Sequence, residues 1–318
     1  MKKVVAIDRA FPSYSRLENS LRELGLQLVF AEDKSEDVLA ALCSDAEAVM
    51  TTYTQVTEAV IRAMTCCKLI IRTGIGVDNI NVAAATEKNI PVSFVPDYCR
   101  EEVADHTVAL LLASVRKLAY CQKEAQNNWD VKKTMGFVPR LSTCRAGILG
   151  LGGIGQLIAK RLQAFDIQII AFDPYLPAEV FDKFNVKPCG SPDEIYATCD
   201  FIIVSGPLTP DRYHMINAQA IEKMKQTAII VNTARGPLVD EAALVEALRN
   251  KRIAGAALDV FEQEPIVDKS IYEIENLLVT PHVAFFSAAS LPDLQNKVFD
   301  EVLRAVNGDA LRNCMNIR

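Results

Sequence analysis

The chain has 318 residues, of which 50% are hydrophobic and 23% charged, and this size and balance predict two folded domains. The formal net charge of −6 argues against a nucleic-acid partner, which would favour a basic face. No apolar run reaches the ~18 residues that a membrane span needs, so we expect no membrane partner. The apolar run after Met1 stops at Asp8, too early for a secretory signal, and predicts a cytoplasmic protein.

Nine cysteines are scattered along the sequence without a C-x-x-C pair, and the three histidines lie far apart. Free thiols in a reducing compartment explain this spacing better than disulfides or zinc, so we expect no metal site. The neighbouring Cys66 and Cys67 could form a redox-active pair, although buried apolar cysteines are commoner.

Short apolar segments alternate with helical patterns through the first hundred residues, which predicts a parallel sheet. The predicted strands are Val4–Ile7, Leu26–Phe30, Ala48–Met50, Leu69–Ile71 and Val92–Val95. Leu17, Leu21 and Leu24 form the apolar face of a helix between the first two strands. The segment Arg72–Asn79 follows a strand and contains two glycines, so it is either an ordinary loop or an anion-binding loop.

A long helix is predicted to open at Glu101, and its centre, Val108–Ala113, is apolar on every side. Such a helix is expected to be buried between domains or subunits. A polar stretch around Asn127–Lys133, which contains Trp129, leads from this helix into the second half of the chain.

The middle of the chain carries Gly150, Gly152 and Gly155 in the spacing G-x-G-x-x-G. A short apolar run precedes these glycines, and behind them a helical stripe recurs at Ile154, Leu157, Ile158, Leu162 and Phe165. Between a strand and a helix, the first glycine permits a tight turn, the second lets the backbone approach a pyrophosphate, and the third allows close packing. The anion would lie against free N–H groups at the helix start.

An acidic residue follows the next predicted strand, Ile167–Phe172. Asp173 lies 18 residues after Gly155, where an acid is expected to accept hydrogen bonds from the ribose hydroxyls. Asp173 could instead be a turn residue before Pro174. The order of strand, glycines, helix, strand and acid favours binding of a dinucleotide.

Three more strands are predicted to end at polar or proline-containing turns: Phe201–Ser205, Ala228–Asn232 and Leu277–Thr280. A fourth, Ala254–Leu258, ends at Asp259, and a closing helix is predicted to stop at Gly308. Ligands bind beyond the carboxyl ends of strands in open parallel sheets. Candidate site residues share that placement: Asp173, Arg235, Asp259, Glu264 and His282. Each could alone be a surface charge or turn residue, but their common placement favours one site.

Six segments form an ordered series: Arg72–Asn79, Glu102–His106, Leu149–Gly155, Asn232–Gly236, Leu258–Pro265 and Thr280–His282. Together they resemble the motifs of the D-isomer-specific 2-hydroxyacid dehydrogenases, and most closely the phosphoglycerate dehydrogenase-like branch of that family. The similarity covers nearly the whole chain. It implies an α/β fold of two doubly wound parallel-sheet domains, in which a Rossmann NAD-binding domain is inserted into a flavodoxin-like substrate-binding domain.

The resemblance also implies domain boundaries and an assembly. The substrate-binding domain is expected to comprise residues 1–99 and 286–318, and the NAD-binding domain residues 100–285. Two hinges between them would let a cleft close, and a homodimer would form through the NAD-binding domains.

The resemblance assigns chemical roles as well. Arg235 is expected to bind a small-molecule 2-oxo or 2-hydroxy acid, His282 to act as the acid/base, and Glu264 to pair with His282. Hydride addition to a C2 carbonyl leaves an alkoxide that needs a proton, which histidine supplies near neutral pH. A carboxylate partner favours the charged imidazole, and arginine offers a planar fork to the substrate's oxygens.

Two further groups of residues are implied for binding. Those for NAD are Gly150, Gly152, Gly153, Ile154, Gly155, Asp173, Pro207, Thr233, Ala234 and Asp259, of which the last would hold the nicotinamide carboxamide. Those for the substrate are Tyr53, Gly74, Ile75 and Gly76, together with Arg235. Of the other histidines, His106 lies in the buried helix and His214 in a polar loop, so neither is preferred over His282.

Two departures from the family pattern bear on specificity. Many relatives carry arginine or a larger residue where Gly153 stands, so a side-chain contact to the pyrophosphate is expected to be missing. Relatives that act on phosphorylated substrates often have a basic residue near Thr51–Thr54, and none occurs here, although Lys132 and Lys133 are counter-evidence. We therefore expect glyoxylate or hydroxypyruvate to be favoured, with D-3-phosphoglycerate dehydrogenase as the alternative.

The same motifs bear on two other functions. Formate dehydrogenases are relatives in which the partner of the histidine is typically glutamine, and Glu264 argues against that activity. Relatives that resemble the C-terminal-binding corepressors use NAD mainly to control assembly, so an NAD-sensing scaffold is the non-enzymatic alternative.

Overall fold

The computed structural model describes residues 2–317, which divide into two compact units. The first unit comprises the residues up to Tyr98 and those from Ser287 onward, and the second comprises Cys99–Phe286. No helix among residues 2–317 is long and apolar enough to cross a membrane. Within the same range the nine cysteines are free, and no group of three or more His, Cys, Asp or Glu side chains is arranged to hold a metal ion.

The first unit is built on a five-stranded parallel sheet in the order β2-β1-β3-β4-β5. Its strands are β1 (Lys2–Ala6), β2 (Leu26–Phe30), β3 (Ala46–Thr51), β4 (Ile70–Arg72) and β5 (Val92–Ser93). Its helices are α1 (Ser15–Glu23), α2 (Glu36–Cys43), α3 (Glu58–Ala63), α4 (Val82–Glu87) and, late in the chain, α12 (Ser290–Asn307). Every residue of β3 is buried, as a central strand covered by helices requires.

The second unit is built on a seven-stranded parallel sheet in the order β12-β11-β10-β9-β6-β7-β8. Its strands are β6 (Arg145–Leu149), β7 (Gln168–Phe172), β8 (Lys187–Pro188), β9 (Phe201–Val204), β10 (Ile229–Asn232), β11 (Gly255–Leu258) and β12 (Leu277–Val279). The strand order reverses at β6, which pairs with β7 on one side and β9 on the other. A ligand crevice is expected at this switch point.

Helices flank the strands of the second sheet. They are α5 (Arg100–Val115), α6 (Leu118–Glu124), α7 (Gly153–Gln163), α8 (Ala178–Lys183), α9 (Pro192–Thr198), α10 (Ala218–Lys223) and α11 (Glu241–Arg249). Short 3-10 helices span Val131–Lys133, Leu141–Thr143, Pro210–Arg212, Gly236–Leu238 and Lys269–Glu273. The predicted α/β class with two parallel sheets is therefore confirmed.

Two local predictions about side-chain burial were wrong. Leu24 is 46% exposed because α1 ends one residue before it, at a turn that Gly25 closes with a φ of +72°. Phe165 is 37% exposed because it lies beyond the last residue of α7. The apolar centre of α5 is buried on most sides within the described chain, where Ala109 is exposed and Leu112 half-buried. Burial of this face against another subunit stays a prediction.

Candidate functional site

The glycine-rich turn after β6 forms a cradle whose shape depends on the absent side chains. Gly150 has a φ of +107°, and a Cβ there would lie 1.8 Å from the carbonyl oxygen of Ser205. A Cβ on Gly155 would lie 2.3 Å from the carbonyl oxygen of Gly150, so the third glycine permits close packing. A Cβ on Gly152 would meet nothing within 4 Å, which leaves open space before α7 starts at Gly153. These residues fit the pyrophosphate of a dinucleotide.

The acid predicted to bind the ribose lies directly after β7, at the mouth of this cradle. One carboxylate oxygen of Asp173 accepts from the backbone N–H of Leu151 at 2.9 Å, and the other accepts from that of Tyr175 at 3.1 Å. Both contacts hold the carboxylate beside the glycine turn. Acceptor lone pairs remain on a carboxylate with one bond per oxygen, so ribose hydroxyls can still be bound.

An arginine that the sequence did not single out lies near the same acid. The Arg212 guanidinium donates to the carbonyl oxygens of Leu149 at 3.1 Å and Pro207 at 3.3 Å, and so joins the ends of β6 and β9. Burial lowers the pKa of Arg212, against the attraction of Asp173. Arg212 lies in a polar loop without periodicity, so no local pattern marked it.

The segment after β10 is folded by the side chain of Asn232, which is fully buried. The Asn232 amide oxygen accepts from Ala234 N at 3.0 Å, and its amide nitrogen donates to the carbonyl oxygen of Arg235 at 2.8 Å. This turn sets the direction of the predicted substrate clamp, Arg235, whose Nη1 donates to the Ala234 carbonyl at 2.8 Å. A Cβ on Gly236 would lie 1.9 Å from the backbone of Phe261, so the turn lies against the loop that carries the catalytic glutamate candidate.

The predicted acid/base and its partner are brought together. His282 Nδ1 lies 2.6 Å from Glu264 Oε2, and Glu264 Oε1 accepts from Phe261 N at 2.9 Å. Burial acts to raise the pKa of Glu264, but the hydrogen bond and charge of His282, the Phe261 N–H and the charge of Arg235 hold it below its ordinary value. An ionised Glu264 accepts a hydrogen bond from Nδ1–H, which leaves Nε2 of His282 for proton exchange.

The turn that carries His282 is held by a buried carboxylate. Asp259, which is 1% exposed, accepts from Thr280 Oγ1 at 2.6 Å and from the backbone N–H groups of Val283 and Ala284, both at 2.9 Å. His282 itself has a φ of +52°, a left-handed conformation that is costly for a residue with a Cβ. These bonds stabilise that conformation. The nicotinamide contact expected of Asp259 stays a prediction.

A second histidine extends this network from α5. His106 Nε2 lies 3.0 Å from Thr280 Oγ1 and 3.6 Å from Asp259 Oδ1. Because the Thr280 hydroxyl donates its proton to the carboxylate, it must accept from His106, so Nε2 carries a hydrogen. The sequence placed His106 in the buried helix without a partner, since Thr280 is 174 residues away.

In the first unit the predicted substrate residues lie after β3 and β4. Tyr53 is 71% exposed, in a turn whose backbone N–H groups at Thr52, Tyr53 and Thr54 donate to Asp8 Oδ2 at 2.8, 3.0 and 3.1 Å. Lys34 Nζ lies 2.6 Å from Asp8 Oδ1. Burial acts to raise the pKa of Asp8, but Lys34 and the donors of the turn lower it far below its ordinary value. The sequence did not mark Asp8 or Lys34.

A basic side chain also lies at this edge of the sheet. The sequence near Thr51 contains no basic residue, but strand pairing places Arg72 opposite Thr51. Arg72 Nη1 donates to the Thr73 carbonyl at 3.3 Å, and a Cβ on Gly74 would lie 1.4 Å from Nη1. The guanidinium therefore lies against the predicted substrate loop, which also contains Ile75 and Gly76. Neighbours across a parallel sheet are distant in sequence, so inspection of one segment missed it.

Comparison with known proteins identifies consistent relatives. The family model described as "D-isomer specific 2-hydroxyacid dehydrogenase, NAD binding domain" matches residues 108–284. The D-3-phosphoglycerate dehydrogenase of Methanocaldococcus jannaschii is 36% identical over 319 residues, which cover 100% of this chain but only 60% of that relative. The chain therefore spans little more than half the length of the curated relatives it matches.

Two solved structures illustrate the similarity in three dimensions. The D-lactate dehydrogenase of Aquifex aeolicus, complexed with NAD and lactic acid, is 26% identical with a TM-score of 0.85, and the match covers 99% of each chain. An NADPH-dependent glyoxylate/hydroxypyruvate reductase of Sinorhizobium meliloti, in complex with NADP and malonate, is also 26% identical with a TM-score of 0.85. That match covers 99% of this chain and 96% of the reductase.

Proposed function

The chain belongs to the D-isomer specific 2-hydroxyacid dehydrogenase family, and from this we propose that it transfers a hydride between NAD and C2 of a 2-oxo or 2-hydroxy acid. The observation that carries the proposal is the 2.6 Å pair of His282 Nδ1 and Glu264 Oε2, with Arg235 close enough to lower the pKa of Glu264. The glycine cradle for a dinucleotide lies in the same unit.

Each side chain has a separate task in the proposed reduction. The Arg235 guanidinium binds the carboxylate and carbonyl oxygens of the substrate through its planar fork. The nicotinamide supplies the hydride when it is bound. His282 Nε2–H then donates its proton to the oxygen at C2, and Glu264 stabilises the charged imidazole and fixes which nitrogen faces the substrate.

The proposed cofactor is NAD rather than NADP because of Asp173. Its carboxylate can accept bonds from both ribose hydroxyls, whereas a 2′-phosphate would meet like charge. Arg212 opposes this selectivity, because its guanidinium lies near the Asp173 carboxylate and could attract the 2′-phosphate of NADP. The ratio of kcat/KM for NADH to that for NADPH measures which of the two side chains dominates. Comparable kcat/KM values for NADH and NADPH would contradict the proposal. Asp173→Ala should reduce the preference for NADH over NADPH.

Within this reaction we propose that small unphosphorylated acids, such as glyoxylate or hydroxypyruvate, are preferred. A phosphate dianion needs a cationic or N–H-rich site besides the one that holds the carboxylate. Thr51 and Thr54 present hydroxyls that are already bonded within the Asp8 turn. Lys132 and Lys133 could supply such a cation, but both are largely exposed and pair with Asp130 at 3.4 and 2.7 Å.

D-3-phosphoglycerate dehydrogenase is the second candidate. Several relatives carry that name, at 34–36% identity. The position of Arg72 against Gly74 also supports it, because a guanidinium beside the predicted substrate loop could bind a phosphate.

A competition assay separates the candidates. Hydroxypyruvate and 3-phosphohydroxypyruvate are compared by kcat/KM with NADH, and preference for the phosphorylated acid by about tenfold or more would reject our substrate proposal. Arg72→Gln should then reduce use of the phosphorylated acid selectively, while Arg62→Gln on α3, an exposed arginine paired with Glu58, is the matched control. NADH binding without turnover of any 2-oxo acid would instead favour the NAD-sensing scaffold.

The proposal includes a homodimer formed through the NAD-binding domains. The segment from α6 to the start of the cofactor sheet exposes three large apolar side chains, Leu118 at 56%, Trp129 at 89% and Phe137 at 69%. Exposed apolar groups of this kind are typical of association surfaces. Light scattering coupled to size-exclusion chromatography tests the prediction, and Trp129→Ser should shift a dimer towards monomer. A monomeric wild type would overturn it.

A further inference from the structure

One arginine of the second unit lies at the start of two helices at once. Arg100 is the first residue of α5, and its side chain extends to the first residue of α7. A Cβ built on Gly153 would lie 3.1 Å from Arg100 Nε and 3.2 Å from both Cδ and Cζ. The guanidinium therefore rests directly against the backbone where α7 begins.

This position brings a positive charge close to two helix starts. The N-terminus of a helix carries partial positive charge from its unbonded N–H groups, which stabilises anions and destabilises cations there. Arg100 adds a full charge to the N-termini of both α5 and α7. The first turn of α5 also contains Glu101 and Glu102, and Glu101 forms an ion pair with Arg161 of α7. An anion bound at the start of α7 would therefore lie beside the Arg100 guanidinium.

The anion is identified by the cradle at the same helix start. Open space adjoins Gly152, and α7 begins at the next residue. In dinucleotide-binding folds the glycine motif places the pyrophosphate at this helix start. We propose that Arg100 binds the pyrophosphate of the dinucleotide, as a cofactor-binding residue supplied by α5. This inference rests on the proposed use of NAD.

The absence of a side chain at Gly153 leaves room for the side chain of Arg100. Contacts of 3.1–3.2 Å are too close for a side chain at 153 unless the guanidinium moves, so glycine leaves the space that Arg100 fills. The side-chain contact that the sequence analysis expected to be missing at Gly153 is thus supplied from a helix more than fifty residues earlier in the sequence. The two positions should therefore depend on each other.

The test is direct binding of NADH, ADP-ribose and adenosine by isothermal titration calorimetry. Arg100→Gln should raise the Kd of NADH and of ADP-ribose about tenfold, as the loss of one charge-assisted bond predicts. Adenosine has no phosphate, so its Kd should stay within about twofold. Arg116→Gln, at the exposed C-terminal end of α5, changes the net charge equally and should leave all three values unchanged.

A rescue experiment makes the assignment specific. Gly153→Arg in the Arg100→Gln background should recover most of the lost NADH affinity, because it returns a cation to the same helix start. In the wild-type background the same substitution should fail to improve NADH binding, since Arg100 already fills the space. Arg100→Lys, which keeps the charge, should bind NADH within about threefold of wild type.

Each other outcome has a definite meaning. Unchanged NADH affinity in Arg100→Gln overturns the inference while the proposed function stands. Equal weakening of adenosine and ADP-ribose also overturns it, since Arg100 would then act only on the fold, which the melting temperature of the variant monitors. A wild-type protein that binds no NADH would reject the proposed function itself.

Discussion

Both units use a buried aspartate at the carboxyl edge of their sheet to hold the loop of another strand. In the first unit Asp8 follows β1 and receives three backbone N–H groups from the turn after β3. In the second unit Asp259 follows β11 and receives two backbone N–H groups and a hydroxyl from the turn after β12. A carboxylate has about four acceptor sites, so one residue can organise a whole turn.

The two turns differ in what they present. The turn held by Asp8 carries Tyr53, which is 71% exposed. Lys34 forms an ion pair with the Asp8 carboxylate. The turn held by Asp259 carries His282 in a left-handed conformation, and Nε2 of His106 lies 3.6 Å from the Asp259 carboxylate. The same hydrogen-bonding arrangement therefore supports a turn with an exposed tyrosine, the predicted substrate contact, in one unit and a strained catalytic candidate in the other. Disturbing each should affect different kinetic constants.

The largest effect is expected from the catalytic candidate itself. His282→Ala should lower kcat by ~10²–10⁴-fold, the usual range for a lost general acid or base. NADH affinity should persist, because the glycine cradle is elsewhere in the unit. Tyr53→Phe serves as the comparison on the other turn and should change kcat less than about fivefold. Near-normal turnover of the alanine variant would remove His282 from the mechanism.

Asp259→Asn should produce the second largest effect. The amide can accept bonds at only one atom, so at least one of the donors at Thr280, Val283 and Ala284 loses its partner in a buried place. We expect a loss of about 2–3 kcal/mol in the free energy of unfolding, as for a buried bond to a charged group. We also expect kcat to fall about 10–100-fold, because His282 would leave its conformation. Denaturant titration and steady-state kinetics measure both, and a stable variant with wild-type kcat would refute the comparison.

Asp8→Asn should produce the opposite kinetic pattern. It loosens the turn at Tyr53 and leaves His282 untouched, so KM for the 2-oxo acid should rise about tenfold while kcat stays within about threefold. A fall in kcat with unchanged KM would show that this turn does not contact the substrate before the chemical step.

The pH dependence of stability tests Asp8 separately. Its pKa is held below the ordinary value in the folded state, so its contribution is complete above the unfolded value of about 3.9 and is lost as the pH falls towards the folded value. The difference in unfolding free energy between wild type and Asp8→Asn should be constant from pH 7 to about pH 5 and shrink below about pH 4. A difference that grows in acid would contradict this sign.

The smallest effect is expected from Glu264→Gln. The carboxylate pairs with His282 Nδ1 and favours the charged imidazole, whereas glutamine is neutral. The decline of the reduction rate with rising pH should therefore shift to lower pH in the variant. Profiles of kcat/KM from acid to mildly alkaline pH would show the shift. An unchanged profile would separate Glu264 from proton transfer.

Sequence alone determined the features that depend on neighbours in the chain. Hydrophobic periodicity predicted the alternating strands and helices, and the glycine spacing identified the strand–turn–helix at Gly150–Gly155, because these patterns reflect local backbone geometry. The candidates Arg235, Glu264 and His282 were also found in this way, since each lies in a recognisable segment beyond a strand. Helix ends were less predictable, as Leu24 shows, because a turn residue just beyond the apolar stripe decides them.

Apart from the pair of Glu264 and His282, which the family resemblance implied, only the tertiary structure decided which polar groups meet. Asp8 is 44 residues from Thr52, and His106 is 174 residues from Thr280, so no local pattern links either pair. Arg72 lies beside Thr51 because β4 pairs with β3, and Arg100 contacts Gly153 because α5 packs against α7. A hydrophobic stripe records which side of an element faces the core. A polar partner, by contrast, is set by the order of strands and the packing of helices, which no single segment encodes.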